Sequence, residues 1–202
     1  MVTDPRTEIA RLLCRQVRVL SVDQIAREYF CECLDSKTQA LEAVRRLESL
    51  GYVSSRKISV RQLGLHQAPL FQWSPGQSEM PDFAKIAAAN RKRWRGDLAC
   101  TSVISATPKA HKRFGGTPRR VRLQEVEHDL RVADLWFSLS AVQQLDWKTE
   151  DSLAKNAFGN RRPDAVLEQG ITKVIEVAGR SYSSTKLEAI FNHFNHLPLE
   201  FA

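Results

Sequence analysis

RRPDAVLEQGITKVIEVAGRSYSSTKLEAIFNHF, residues 161–194, decides the reading of the C-terminal half of this 202-residue chain. Asp164 follows Pro163 and opens a short apolar segment, Asp164 to Leu167. A Gln169-Gly170 turn returns the chain through a second apolar segment, Lys173 to Val177, which carries Glu176. Near-continuous apolar runs of this length predict a hairpin buried on both faces. Ser183 or Ser184 suits the cap of a helix over residues 185–196. Two acids on neighbouring strands, one turn apart, point at the same metal-sized space. A carboxylate inside an apolar strand also needs a metal or a charged partner, because burying it unpaired is costly. The plainer alternatives are turn chemistry for Asp164 and an exposed strand edge for Glu176.

Working outward, the pattern from residue 124 to residue 145 is helical, with Val126, Leu130, Ala133, Trp136 and Leu139 on a broad apolar face. A short strand follows near Leu145 to Lys148, then an acidic turn with Glu150 and Asp151. The order helix, strand, acidic hairpin, helix resembles the core of the PD-(D/E)xK nuclease superfamily. That resemblance implies a restriction-endonuclease-like α/β domain with a small mixed sheet. It assigns Asp164 and Glu176 to Mg²⁺, with Glu150, Glu127, Asp129 or Asp134 as a further ligand. It also implies a lysine that orients the attacking water. Ala178 stands where that lysine belongs, and Lys186, on the following helix, is placed for a migrated one. Arg180 can contact phosphate but cannot act as a base at neutral pH. The chain beyond residue 198 looks like the start of another strand.

The first third predicts three helices and a β-hairpin. Pro5 opens the first helix. Ser21 with Gln24, and Ser36 with Gln39, are capping-box pairs for the second and third. Gly51 suits the residue after the third helix. Tyr52 to Val60 and Leu70 to Trp73 are β-prone, joined by a loop containing Gly64 and Pro69. This segment resembles bacterial winged-helix DNA-binding domains, most closely in LEAVRRLESLGYVSSRKI, residues 41–58. The resemblance implies a third helix in the major groove and a wing on the backbone. Its candidate DNA contacts are Lys37, Thr38, Gln39, Arg45 and Arg46 on the helix, with Arg56, Lys57 and Arg61 on the wing.

Charge points the same way. Between Lys85 and Arg122 there are eleven Lys or Arg against one acid, in a chain of net charge +7, so the remainder is slightly acidic. A local excess of this size favours a polyanion. Arg91, Lys92, Arg93 and Arg95 lie on a helix expected over residues 82–95. Residues 107–118 read as a basic, glycine-containing loop. Ser74 to Pro81 is the best linker, so the expected division is 1–76, a bridge over 77–95, and 96–202. Cys31 and Cys33 lack a second pair for zinc, and His193 and His196 make at most half a metal site. No apolar run spans a membrane and no secretory leader is evident, so the expected location is the cytoplasm, at the nucleoid.

A winged helix followed by this core is similar to the replication-relaxation family of plasmids and mobile elements, through Arg162-Pro163-Asp164 and Ile175-Glu176-Val177. The expected class is therefore α+β. The expected function is double-stranded DNA binding, as a regulator or accessory factor of replication, transfer or transcription, possible as a homodimer, with no cofactor needed for binding. The nuclease-like domain is expected to be catalytically weak or inactive, with Arg161, Arg162 or Arg180 neutralising its acids; the alternatives are a Mg²⁺-dependent endonuclease using Asp164, Glu176 and Lys186, and a protein–protein adaptor.

Overall fold

The computed structural model describes residues 4–61 and 68–202; Gly64, expected in the loop between two strands, lies outside them. The fold is α+β, with eight α-helices and two sheets among the described residues. The chain forms two units, each built from two segments: Met1–Val60 with Leu98–Phe137, and Arg61–Asp97 with Ser138–Ala202.

In the first unit, α1 (Pro5–Arg15) begins at Asp4, whose carboxylate accepts the Arg6 backbone N–H. Strand β1 (Leu20–Ser21) runs directly into α2 (Val22–Tyr29) through the expected Ser21–Gln24 capping box, with a reciprocal pair of bonds at 2.9 and 3.1 Å. Helix α3 (Ser36–Ser49) is capped by Asp35 rather than Ser36, because the Asp35 carboxylate reaches the Thr38 N–H. Gly51, at φ 71°, ends α3 while the Tyr52 N–H returns to the Leu47 carbonyl. Ile9, Leu13, Leu20, Ile25 and Leu47 close the core between these elements.

The hairpin expected next does not form. Strand β2 (Val53–Arg61) pairs instead with β4 (Leu98–Ala106), which also pairs antiparallel with β1, giving the order β1–β4–β2. The reason is burial. Ile104 enters the helical core and Val103 a second apolar cluster on the other face, so β4 buries both sides. The expected basic loop at 107–118 is largely helix α5 (Pro108–Phe114), capped by the Thr107 hydroxyl and followed by Gly115 and Gly116 at positive φ. The helix expected over 124–145 breaks at Ser140, where a Ser140–Gln143 capping box starts a new one. Its first part, α6 (Val126–Ser138), lies almost wholly in the first unit.

The second unit holds β3 (Phe71–Trp73), α4 (Phe83–Arg93), α7 (Ala141–Asp146), β5 (Trp147–Thr149), β6 (Ala165–Gln169), β7 (Ile171–Glu176), α8 (Ser184–Phe194) and β8 (Leu199–Phe201). Its sheet runs β3–β8–β7–β6–β5. Strands β5, β6 and β7 form an antiparallel meander, and β8, reached through α8, lies parallel to β7. Phe71 and Trp73, expected beside β2, pair with β8; both rings meet Phe191 edge-on, and Phe71 also meets Phe201. Burying an aromatic side chain stabilises by roughly 2–3 kcal/mol, which favours this placement over a local hairpin. Helix α4, expected as a bridge, packs on α8 through Ile86 and Ala87. The contiguous division at 76 and 96 is thereby replaced by one in which 61–97 joins the second unit and 98–137 the first.

Candidate functional site

The β6–β7 register pairs Ala165 with Ile175 and Val166 with Val174. One step further, it sets Asp164 opposite Glu176, a spacing of about 5 Å between side-chain roots. Side chains alternate along a strand, so Asp164 shares a face with Val166, and Glu176 with Val174. Val166 and Val174 pack with Leu187, Ile190, Phe191 and Phe194 of α8. The two acids therefore sit on the helix-covered face, level with the start of α8. Glu176 is 4 % exposed. Asp164 uses one carboxylate oxygen to accept the Val177 N–H at 2.8 Å, which locks the strand ends together.

The start of α8 supplies the positive charge. Ser183 caps the helix through the Lys186 N–H, which places Lys186 in its first turn. Its ammonium lies 3.6 Å from the centre of the Tyr182 ring. Desolvation and the like charge of Arg161 pull the Lys186 pKa below its ordinary value, against Glu176 and Asp164, which act to raise it. Asp164, Glu176, Lys186 and Arg161 thus share one electrostatic neighbourhood. Tyr182 is a site residue that the sequence reading missed. Its signal was the turn GRSY, in which the Tyr182 N–H returns to the Gly179 carbonyl.

Ala178 follows Glu176 by two residues on the same face and is 2 % exposed. Helix α4 lies over it. The Trp94 indole N–H donates to the Ala178 carbonyl at 3.0 Å, and Asn90 donates to the Gly179 carbonyl at 2.9 Å. A lysine at 178 would have to enter this cover.

Among the further acids, Glu150 follows β5 and its N–H donates to the Asp164 carbonyl at 2.9 Å, with the Arg162 guanidinium 3.9 Å from its carboxylate. Glu127, Asp129 and Asp134 are not brought to this site. They lie on α6 in the first unit, where Arg18 meets Asp129 and Arg27 meets Asp134. No group of three or more His, Cys, Asp or Glu is arranged for a metal among the described residues. Asp164 and Glu176 are the two carboxylates of this site, and one Asp164 oxygen is already taken by the Val177 N–H.

The candidate DNA contacts fall in both units. Lys37, Thr38, Gln39, Arg45 and Arg46 are all exposed on α3, whose other face buries Ala40, Ala43, Val44 and Leu47. Lys37 is ion-paired to Asp23 at 2.8 Å. Arg56 and Lys57 are exposed on β2, and Arg61, at its end, is half-buried. Arg91, Lys92 and Arg95 are exposed, whereas Arg93 is half-buried and donates to the Ala68 carbonyl. Gly159 approaches the His193 ring, whose Nε2 contacts the Phe158 carbonyl at 2.7 Å, so His193 serves packing there. No family model, curated protein or solved structure matches this chain. No described helix is long and apolar enough to cross a membrane.

Proposed function

We propose that this protein binds double-stranded DNA, as a regulator or accessory factor in the replication, transfer or transcription of a plasmid or mobile element. The observation that carries the reading is the order of the first unit. Three helices, a short strand between the first two, and a sheet β1–β4–β2 leave α3 with one buried face and one exposed face bearing Arg45 and Arg46. This supports a winged-helix reading in which β4 is the return strand of the wing. The mobile-element setting rests on the resemblance of the Arg162-Pro163-Asp164 and Ile175-Glu176-Val177 segments. The test is fluorescence anisotropy of a labelled duplex across a salt series. Arg45→Ala with Arg46→Ala should weaken binding and flatten its salt dependence by about one per lost phosphate contact. A wild-type chain that ignores duplex DNA at low salt refutes the reading.

A second reading, metal-dependent cleavage of DNA, is favoured by the register that brings Asp164 level with Glu176, with Lys186 in the first turn of α8. The β5–β6–β7–α8–β8 order also supports a PD-(D/E)xK-like core. Asp164 and Glu176 are the residues that would hold Mg²⁺, which when bound supplies Lewis-acid stabilisation of a phosphoryl oxygen. Lys186, in the first turn of α8, would orient an attacking water in this reading. Scission that requires Mg²⁺ or Mn²⁺, and that disappears in Asp164→Asn, Glu176→Gln and Lys186→Met, establishes this reading. Intact DNA under all of these conditions leaves a binding protein without catalysis.

A further inference from the structure

The sheet of the first unit has a second face, and it carries a cleft of about 700 Å³. Val53 of β2 and Ile104 of β4 point into the helical core, so alternation turns Ser54, Arg56 and Ser105 to the opposite side. The far wall is the segment 119–124, irregular to Arg122 and then entering a 3-10 turn at Leu123–Glu125. Val121 packs inward against the cluster of Val19, Val60, Val103, Val126 and Leu130, and Arg120 and Arg122 flank it. Four arginines, Arg56, Arg119, Arg120 and Arg122, line the cleft with the Ser54 and Ser105 hydroxyls, and none of its lining residues is an acid.

The arginines divide into two kinds. Arg119 is anchored, donating to the Arg15 carbonyl at 2.8 Å, and Arg122 pairs with Glu125 at 2.9 Å. Arg56 and Arg120 are exposed, and no hydrogen bond or ion pair holds either of them among the described residues. Glu125 offsets Arg122, but Arg56 and Arg120 bring like charge to the same cleft with no lining acid, and an anion relieves their repulsion. Guanidinium forks match phosphate oxygens in pairs, and serine hydroxyls add neutral donors. The lining holds no aromatic ring on which a base could stack, which favours recognition of backbone phosphate over a free nucleotide.

We propose that this cleft is a second nucleic-acid contact, which grips backbone phosphates on the sheet face turned away from the helical core. It rests on the DNA-binding reading and deepens it, since it adds a contact that α3 does not provide. Segment 119–122 is the working part, held in place by Arg119 and Val121 so that Arg120 and Arg122 face the same cleft as Arg56.

The test uses the full chain and a labelled duplex, with affinity measured across a salt series. Arg56→Ala with Arg120→Ala should lower affinity about tenfold or more and reduce the salt slope by about two. Arg56→Lys with Arg120→Lys, which keeps the charges, should retain most of the slope and shows that loss in the alanine form is not misfolding. Wild-type affinity and slope in the alanine double variant, alongside weakened binding in Arg45→Ala with Arg46→Ala, overturns the cleft while leaving the DNA reading intact. Failure of the wild type to bind duplex overturns the DNA reading itself, and the cleft proposal with it. A parallel titration with ATP separates the two phosphate sources. Tight ATP binding that is lost in the alanine double variant, with duplex binding unchanged, overturns the nucleic-acid assignment in favour of a free nucleotide.

Discussion

Placing a lysine at residue 178 tests whether the cover over Ala178 excludes one. Ala178 is 2 % exposed, and its carbonyl holds the Trp94 indole at 3.0 Å. Asn90, 1 % exposed, holds the next carbonyl at 2.9 Å and also accepts from Trp94 at 3.1 Å. Ala178→Lys forces a long side chain between β7 and α4. Overpacking of a tight interior costs about 1–3 kcal/mol. Displacing Trp94 and Asn90 leaves buried polar groups unsatisfied, for about 1–3 kcal/mol more. The expected total is about 4 kcal/mol, before any cost of desolvating the ammonium. Urea unfolding measures it. With a slope of about 2 kcal/mol per molar, the midpoint falls by about 2 M. An Ala178→Lys chain within about 1 kcal/mol of wild type would show that room exists above Ala178, and the argument that α4 excludes a lysine there fails.

Three further outcomes are expected. Gly116→Ala should destabilise by about 3 kcal/mol or more, because Gly116 has φ 83° and a Cβ there would lie 1.9 Å from the Cys14 carbonyl oxygen; a melting temperature equal to wild type would contradict this. Cys31, Cys33 and Cys100 are exposed and should react with a thiol reagent in the native state, while Cys14, buried and with its pKa pushed up to about 11 by desolvation, stays protected until unfolding. Burial acts to raise the Asp23 pKa, but hydrogen bonds from Lys37 and Thr101 and the charges of Lys37 and Arg27 outweigh it, so the net value lies below the ordinary 3.8. A depressed folded-state carboxyl stabilises above its unfolded pKa and loses that contribution as pH falls through the folded value. Asp23→Asn should therefore flatten the acid limb of a stability–pH profile, and an unchanged profile counts against the Asp23–Lys37 pair.

What was legible in the sequence was whatever depends on near neighbours. The Ser21–Gln24 box, the Gly51 stop and the Gln169-Gly170 hairpin are local chemistry, and each appears where its residues stand. The same holds for Asp164 and Glu176, because the turn at Gly170, with Gln169 paired to Ile171 and Glu168 to Thr172, sets the register of its own hairpin. Asp35 displaced Ser36 as a cap only because two adjacent residues were both competent and one carboxylate reached Thr38.

Strand partners across long stretches of chain were not legible. β2 had two β-prone segments to choose from, and local pattern favoured the nearer one. The structure pairs it with β4, since Val103 and Ile104 bury both faces, and gives Phe71 and Trp73 to the aromatic cluster around Phe191. That choice depends on surfaces contributed by residues more than a hundred positions away, which no window of sequence contains. The same is true of the cover over Ala178 and of the arginine cleft. Asn90 and Trp94 meet the segment after β7 only in three dimensions, and Arg56 joins Arg119, Arg120 and Arg122 only once β2 and β4 have paired. The sequence by itself determined the local elements and the chemistry each could carry; the tertiary structure decided which of them meet, because burial of apolar surface is settled by the whole chain at once.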